Sequence, residues 1–557
     1  MIIPMINHSF STQKFLFFLT LLYACLSISK FVLPATDRDE ARFAQASKQM
    51  VETGDYWSIK FLDQPRNKKP IGIYWLQAGC VKAAQFLGVK DAQIRISVYR
   101  LPNLIAGFGM LLALFFLFRS VIGQKAAAFA TTFMAVSLLT VVESHLAKTD
   151  TVLLVLIVVQ QGLLARWYQN QLLKKATLPR EQIAMWGVMA FTILIKGPIA
   201  PMIFILTVLT LRYAFKAPIS LRSLAWFKGF FILLLVNLPW FLMVQWKSSG
   251  AYAAHAIGVD FIPKLLKGQE SHGFYPGYYT LISFILLWPE SLIVFRILPR
   301  WRILRQDPKA QFMLAWLLPS WVMFELIPTK LPHYVLPLFP AIWLLTAYAL
   351  DRFEWPKTKS IGGKLVSILY LILTLALFCF LLILTFYSLS FFKACNLTLG
   401  LVLCFGGVVL WKPHMNLSMR YLASVAGFYV LVFTFLLPGL SFLWLSETVY
   451  QARLRSKTLG QPLVVVGFNE PSLYFRNGTD VRVVTSSAEA LTIAEEQKGL
   501  ALIAFQEGDQ DQEFGPLFNF KRMQFRDGHV LDSLLKSLNY SRNKWQIHFL
   551  VNKGVVW

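Results

Sequence analysis

The chain has 557 residues, of which 56% are hydrophobic and 15% are charged, and its formal net charge is +25. Soluble domains contain about 25% charged residues, so this composition excludes an ordinary soluble domain and is typical of a polytopic membrane protein. The lysines and arginines are spread through short connections rather than gathered on one soluble face, which argues against nucleic acid as a partner.

Thirteen apolar runs, each of roughly the length that crosses a bilayer, precede residue 445. They cover residues 15–33, 96–118, 125–142, 151–168, 183–198, 199–215, 229–246, 278–296, 310–327, 334–350, 365–388, 396–412 and 421–443. The first run is long for a signal peptide and no small-residue cleavage site follows it, so we predict a retained span. Lys and Arg concentrate in alternate loops, which predicts a cytoplasmic N-terminus and an outer location for everything after residue 444.

The outer segment 34–95 is predicted to contain two helices. Asp37 can cap a helix over residues 38–52 in which Glu40 stands at the third position, and Gly54 can end it. A second amphipathic stretch, residues 71–88, carries Trp and Tyr side chains that suit a membrane interface.

The chain after residue 445 has a different pattern. Short β-branched runs such as "PLVVVGF" and "DVRVV" alternate with a helical run, which favours a small α/β fold. The sequence therefore predicts an α-helical membrane domain over residues 1–445, including the loop 34–95, and an outer α/β domain over residues 446–557.

Polar residues that need an explanation gather on the predicted outer side of the membrane. They are Asp39, Glu40, Arg42, Lys68, Lys69, Glu143, His145, Lys148, Asp150, Lys196, Lys330, His333 and Tyr334. Charged groups at membrane depth are costly and usually mark a substrate path. Fixed cations such as Arg42 and Lys69 suit a phosphate, and a carboxylate such as Asp39 can act as a general base or orient an attacking group. This combination indicates transfer of a group from a lipid phosphate.

Several of these residues also have a purely structural interpretation. Glu40 can be half of a capping box with Asp37, and Asp150 can simply begin a helix with a favourable charge. His145, His255 and His272 are more typical of interfacial hydrogen bonding than of metal binding. Lys196 lies deep enough in the membrane that we expect an anionic partner for it.

Five motifs, in order along residues 10 to 350, resemble those of a known family. They are "DRDEARFA", "NKKPIGIYWLQ", "AKTDTVLL", "ILIKGPIAP" and "PTKLPHYVLPLFP". They are similar to those of polyprenyl-phosphate-dependent glycosyltransferases of the GT-C fold, above all the bacterial lipid A aminoarabinose transferases, with the protein O-mannosyltransferases as relatives. The thirteen runs and the outer C-terminal domain agree with this resemblance.

The resemblance implies a bacterial inner-membrane enzyme with a periplasmic active site. Such an enzyme takes a sugar from undecaprenyl phosphate and passes it, with inversion, to an acceptor such as lipid A or another lipopolysaccharide component. Carried over motif by motif, Asp39 and Asp150 are the catalytic acids. The implied substrate-binding residues are Glu40, Arg42, Lys69, Lys196, Lys330, His333 and Tyr334.

Two departures from the family pattern bear on metal binding and substrate. Lys68 stands where the family commonly has an acid, and "AIGVDFIPKLLKGQESHG" replaces a stretch expected to be rich in His, Glu and Arg, with Lys264 as a substitute for a missing arginine. We therefore assign no cofactor and no metal ligands, although a divalent metal stays open.

Three other hypotheses compete with a lipid A transferase. A protein O-mannosyltransferase-like enzyme would differ in its acceptor. A transporter or flippase of a lipid-linked sugar would have ionisable residues or broken helices near mid-membrane, often in two related halves. A non-catalytic scaffold would depend on residues 450–557 while Asp39 and Lys69 were dispensable.

Overall fold

The structure, a computed structural model, describes most of the chain. The described residues are 11–36, 38–263, 273–353, 361–409, 419–440, 443–455, 459–466, 468–484, 489, 493, 501–507, 521–523 and 545–551. The predictions for Asp37, Lys264 and His272, and most of the helical run predicted near residues 487–497, fall outside these ranges.

The described residues of the first span and of segment 34–95 contain three α-helices and a small hairpin. These elements are α1 (Thr12–Ser27, continued by a 3₁₀ turn Ile28–Phe31), α2 (Asp39–Thr53), β1 (Lys60–Phe61), β2 (Gln64–Pro65) and α3 (Gly72–Phe86). Both helices predicted in this segment are present, and Gly54 ends α2 with a left-handed φ of +72°.

The predicted capping box involves Asp37, which lies outside the described residues. The N-cap position is occupied by Arg38, which makes no side-chain capping hydrogen bond. Glu40 lies in the first turn and accepts hydrogen bonds from the backbone N–H and hydroxyl of Thr36 instead, at 3.0 and 3.2 Å.

The helical bundle follows α3. Its helices are α4 (Ile96–Tyr99), α5 (Leu101–Ile122), α6 (Gln124–Val136), α7 (Leu138–Ser144), α8 (Asp150–Leu172), α9 (Pro179–Lys196), α10 (Ile199–Leu209), α11 (Trp226–Lys247), α12 (Ala251–Ala253), α13 (Tyr278–Leu286), α14 (Ser291–Ile297), α15 (Trp301–Leu304), α16 (Pro308–Leu326), α17 (Phe339–Arg352), α18 (Ile361–Ser388), α19 (Phe391–Val409), α20 (Met419–Val430) and α21 (Leu437–Gly439). Single turns of 3₁₀ or π-helix extend several of them, including Pro332–Leu338 before α17 and Leu431–Leu436 after α20.

Across the described part of the chain, most of each predicted run is helical, although run 278–296 is interrupted by a turn between α13 and α14. Among the described residues, eight helices are long and apolar enough to cross a membrane, and a bent pair, α6 with α7, makes a ninth. The span Pro332–Arg352 is central, since 83% of its most apolar stretch is buried inside the protein. The span Ile361–Tyr387 is peripheral, since only 11% of its most apolar stretch is buried. The exposed apolar surface of the peripheral helices is what a lipid environment accommodates.

The run predicted as one straight span over residues 125–142 is bent by 60° between α6 and α7. At the bend the backbone N–H of Leu138 and the side-chain hydroxyl of Ser137 both find partners near the end of α13. Leu138 donates its N–H to the carbonyl of Trp288 at 2.8 Å, and the Ser137 hydroxyl donates to the carbonyl of Leu286 at 3.3 Å. A break at membrane depth is tolerated because these groups stay hydrogen-bonded.

In the last part of the chain, the described residues form two helices and five strands. They are α22 (Leu445–Arg455), β3 (Leu463–Val466), α23 (Pro471–Asn477), β4 (Arg482–Val484), β5 (Ala501–Glu507), β6 (Lys521–Met523) and β7 (Trp545–Val551). The strands form one mixed sheet in the order β4-β3-β5-β7-β6. Val465 pairs in parallel register with Val483 and Ile503, while β7 runs antiparallel to β5 and β6.

Candidate active site

The turn between α7 and α8 is fixed by side chains from two other elements. Asn103 of α5 donates to the carbonyl oxygens of Leu146 and Lys148 at 2.6 and 3.0 Å. Gln77 of α3 donates to the carbonyl of Ala147 at 2.9 Å. The turn, and the charged residues on either side of it, are therefore held rigidly against α3 and α5.

Four charged side chains around this turn form two buried ion pairs. Asp150, the first residue of α8, lies 2.5 Å from the amine of Lys196, the last residue of α9. Lys148 lies 3.0 Å from a carboxylate oxygen of Glu143. The expected anionic partner of Lys196 is thus confirmed. Because each buried charge has an opposite partner, the cost of burying it is offset.

The charge on Lys148 is stabilised by its surroundings. Burial alone lowers the pKa of this amine, but the carboxylates of Glu143 and Asp150 outweigh burial and raise the pKa above its ordinary value. Lys148 therefore stays protonated near neutral pH.

His333 and Tyr334, on the 3₁₀ turn before α17, complete the cluster. The two ring nitrogens of His333 lie 3.8 Å from a Glu143 carboxylate oxygen and 3.9 Å from a carboxylate oxygen of Asp150. Its ring meets that of Tyr334 edge to face with centroids 5.0 Å apart. The amine of Lys196 stands over the Tyr334 ring at 5.5 Å from its centroid.

Asp39 and Arg42 lie at the exposed rim of this cluster, on the first turn of α2. Their side chains are 55% and 38% exposed, and the guanidinium of Arg42 is 3.7 Å from the Asp39 carboxylate. The negative charge of Asp39 acts on Lys148, and the positive charge of Lys69 acts on His333. The structure thus brings Asp150, Lys196, His333 and Tyr334 into contact, and the charges of Asp39 and Lys69 lie close enough to act on this cluster.

Glu40 and Lys330 point away from the cluster. Glu40 is fully buried, where it pairs with Arg100 through two contacts of 2.7 and 2.8 Å and accepts the N–H of Ala147 at 2.8 Å. Lys330 is 1% exposed and donates to the carbonyl of Ile327 at 2.5 Å. Both side chains are occupied within the fold in this structure.

Several buried charges inside the predicted apolar runs were missed in the sequence analysis, among them Lys30, Arg100, Glu290 and Glu325. Arg100 falls inside the predicted run 96–118, and Glu290 falls inside the predicted run 278–296, where it accepts a hydrogen bond from the Tyr421 hydroxyl at 2.8 Å. The signal that could have found them is the presence of a charge within an apolar run.

Of the histidines predicted to make hydrogen bonds, His145 does so. His145 contacts the Ser29 hydroxyl at 2.7 Å and the Val141 carbonyl at 2.6 Å. Within the described ranges, no group of three or more His, Cys, Asp or Glu side chains is arranged to hold a metal ion.

This architecture matches solved structures. The crystal structure of ArnT from Cupriavidus metallidurans bound to undecaprenyl phosphate aligns with a TM-score of 0.69, covering 98% of this chain and 99% of that chain at 17% identity. The chain has the GT-C fold of ArnT. An oligosaccharyltransferase from Archaeoglobus fulgidus aligns with a TM-score of 0.53 at 12% identity, covering 90% of this chain and 70% of that one.

The sequence likeness to ArnT-type proteins is shorter than the structural likeness. Undecaprenyl phosphate-alpha-4-amino-4-deoxy-L-arabinose arabinosyl transferases from Pectobacterium carotovorum and Pseudomonas fluorescens are 25% and 27% identical over 330 and 331 residues. These matches cover 57% and 58% of this chain but only 56% and 57% of the relatives. No protein-family model matches the sequence. The ArnT fold therefore extends well beyond the part of the chain with recognisable sequence similarity.

Proposed function

We propose that this protein transfers a glycosyl group from a polyprenyl phosphate to a lipid acceptor, with inversion at the anomeric carbon. The observation that carries the proposal is a half-exposed carboxylate, Asp39, at the rim of a buried cluster that contains Lys148, Lys196 and His333. A fold neighbour with undecaprenyl phosphate bound, and relatives named for transfer from that lipid, support the choice of donor.

Arg42 and Lys69 are proposed to bind the donor phosphate. As the bond between the anomeric carbon and the phosphate oxygen breaks, the electron pair stays with the phosphate, which leaves as polyprenyl phosphate. Cations placed beside that oxygen stabilise the charge where it develops. Lys196 and Lys148 are buried in close ion pairs, whereas Arg42 is 38% exposed, so we assign the two lysines to the wall of the cavity rather than to the leaving group.

Asp39 is proposed to act on the acceptor, either as its general base or by orienting it. An acceptor hydroxyl attacks the face of the anomeric carbon opposite the phosphate, and Asp39 takes the hydroxyl proton as general base. A phosphate acceptor is already ionised near neutral pH, and there Asp39 orients it instead. Asp150 keeps Lys196 in place, and His333 and Tyr334 line the cavity beside them.

We propose a bacterial inner-membrane location with thirteen spans, a cytoplasmic N-terminus and a periplasmic site. The basic loops support this orientation. Residues 1–445 would form the membrane domain and residues 446–557 a periplasmic α/β domain. Lipid A or another lipopolysaccharide component is the proposed acceptor.

Mass spectrometry of lipid A and lipopolysaccharide core tests this function in three strains: wild type, deletion and an Asp39→Asn allele. We expect a sugar-sized mass to disappear in both altered strains, because the amide cannot accept the acceptor proton. Normal amounts of the mutant protein in the membrane serve as the control. Full transfer by Asp39→Asn would overturn the mechanism, and an unchanged lipid A and core in the deletion strain would overturn the acceptor.

A further inference from the structure

Helix α23, in the last part of the chain, is docked on α2, the helix that begins with Asp39. Lys48 of α2 is buried, and its amine donates to the carbonyls of Tyr474 and Phe475 at 3.3 and 3.2 Å. The fully buried Phe475 ring packs edge to face on the Tyr99 ring, with ring centroids 5.1 Å apart. A lysine near the C-terminal end of a helix interacts favourably with its last carbonyls, so this contact fixes α23 to α2.

Glu470 precedes α23, and its side chain is directed at α2 rather than at its own helix. It occupies the N-cap position of α23 without making a side-chain capping hydrogen bond. Its carboxylate lies 3.6 Å from the guanidinium of Arg38 instead. The charges of both Arg38 and Arg42 act on this carboxylate.

Burial and the neighbouring arginines have opposite effects on the carboxyl of Glu470. Burial raises the pKa of the Glu470 carboxyl, and the two arginines offset part of that effect. Arg38 and Arg42 are 48% and 38% exposed, so solvent screens these interactions but does not remove them. The two arginines thus each lie beside a carboxylate: Arg38 beside Glu470 and Arg42 beside Asp39.

We propose that Glu470 sets the affinity of the site for the lipid phosphate by neutralising part of the charge of Arg38 and Arg42. The inference rests on the proposed function, in which Arg42 binds the donor phosphate. Polyprenyl phosphate is also the product of the reaction, and a product held too tightly slows turnover. A carboxylate that competes with the phosphate for the arginines weakens the binding of the polyprenyl phosphate product. Glu470 therefore acts through the arginines and does not contact the sugar.

Binding of undecaprenyl phosphate to the full-length protein in lipid nanodiscs tests the proposal. We expect Glu470→Gln to bind this lipid about two- to fivefold more tightly, the range for a partly exposed charge interaction. Glu470→Asp should fall between the wild type and Glu470→Gln. In steady-state transfer, KM for the donor and kcat should fall together, since slower product release lowers both. Structural damage would instead weaken binding.

Glu447→Gln is the matched control, because Glu447 pairs with Arg476 at 2.6 Å within the same part of the chain. Its affinity for undecaprenyl phosphate should equal that of the wild type. In Arg38→Gln protein the additional Glu470→Gln change should have a smaller effect, because one of the two cations is already gone.

The outcomes separate this inference from the proposed function. Unchanged or weaker binding by Glu470→Gln, with Arg42→Gln impaired as proposed, overturns the role of Glu470 alone. Wild-type affinity in Arg42→Gln overturns the donor-phosphate assignment. A wild-type protein that does not bind undecaprenyl phosphate overturns both.

Discussion

The buried charges of this protein join segments that are distant in the sequence. Glu40 pairs with Arg100, 60 residues later in the sequence, and Asp150 pairs with Lys196, 46 residues later. Removing one partner of a buried pair leaves the other without compensation, whereas a surface pair costs little to lose. These pairs therefore affect folding as well as chemistry, and mutations at them must be judged by stability and activity together.

Glu40→Gln should destabilise the protein by about 3 kcal/mol, because it leaves the buried Arg100 guanidinium without a counter-charge. Thermal unfolding in detergent measures the loss. Asp63→Asn, at an exposed acid nearby in the sequence, should be close to wild type. Normal stability with weakened binding of undecaprenyl phosphate would give Glu40 the substrate-binding role predicted from the sequence.

His145 should make the protein less stable as the pH falls. Burial, together with the charge of Lys30, lowers the pKa of His145 from 6.5 to about 3. Below pH 6.5 the unfolded chain therefore takes up a proton that the folded chain does not, and this contribution to stability is lost between about pH 6.5 and 3.

Thermal unfolding at pH 7.5 and pH 5 tests this pH dependence. The decrease in stability should be smaller for His145→Gln than for the wild type, by at most about 1.4 kcal/mol per pH unit, since one titrating group contributes no more. Groups common to both proteins cancel in the comparison. Equal decreases would show that His145 does not contribute.

At the scale of elements, the existence of helices was predictable and their bends were not. Hydrophobic length predicts a span, and the described part of each predicted run is mostly helical. The break at Ser137 lies in "MAVSLLTVV", which has no Pro or Gly to announce it. Its hydrogen-bond partners come from Leu286 and Trp288, about 150 residues away, and local sequence carries no information about them. The burial of Glu40 was missed for the same reason, since it depends on Arg100.

Helix α3 should depend on Gly72 for its fit against α9. A Cβ at Gly72 would lie 2.8 Å from the carbonyl oxygen of Leu194, a backbone atom that cannot turn aside. Gly72→Ala should therefore push α3 away from the end of α9 that carries Lys196. Overpacking of this kind costs about 1–3 kcal/mol.

Gly79→Ala is the control for this prediction, because a Cβ at Gly79 in the same helix meets nothing within 4 Å. It should be neutral or slightly stabilising, as Gly to Ala changes in helices usually are. We expect Gly72→Ala to lower both the unfolding temperature and the rate of sugar transfer. Equal behaviour of the two variants would mean that α3 can shift without cost.

At the scale of the whole molecule, the site lies where three parts of the chain meet. The segment 34–95 contributes Asp39 and Arg42, the bundle contributes Asp150 and Lys196, and the last part contacts α2 through Glu470. The motifs predicted the first two contributions because each stands beside a recognisable span. The third could not be predicted, since Glu470 lies in no motif and reaches the site only through the docking of α23.

The orientation of the bundle can be measured with single cysteines in a protein whose five native cysteines are replaced. Asp63→Cys and Lys175→Cys are both at exposed positions, the first in the predicted outer segment and the second in a predicted inner loop. A membrane-impermeant thiol reagent applied to spheroplasts should label Asp63→Cys at once and Lys175→Cys only after the membrane is opened. The charge asymmetry of the loops is the physical reason for this order. The reverse order would place Asp39 on the cytoplasmic side and would contradict transfer to an acceptor on the periplasmic face.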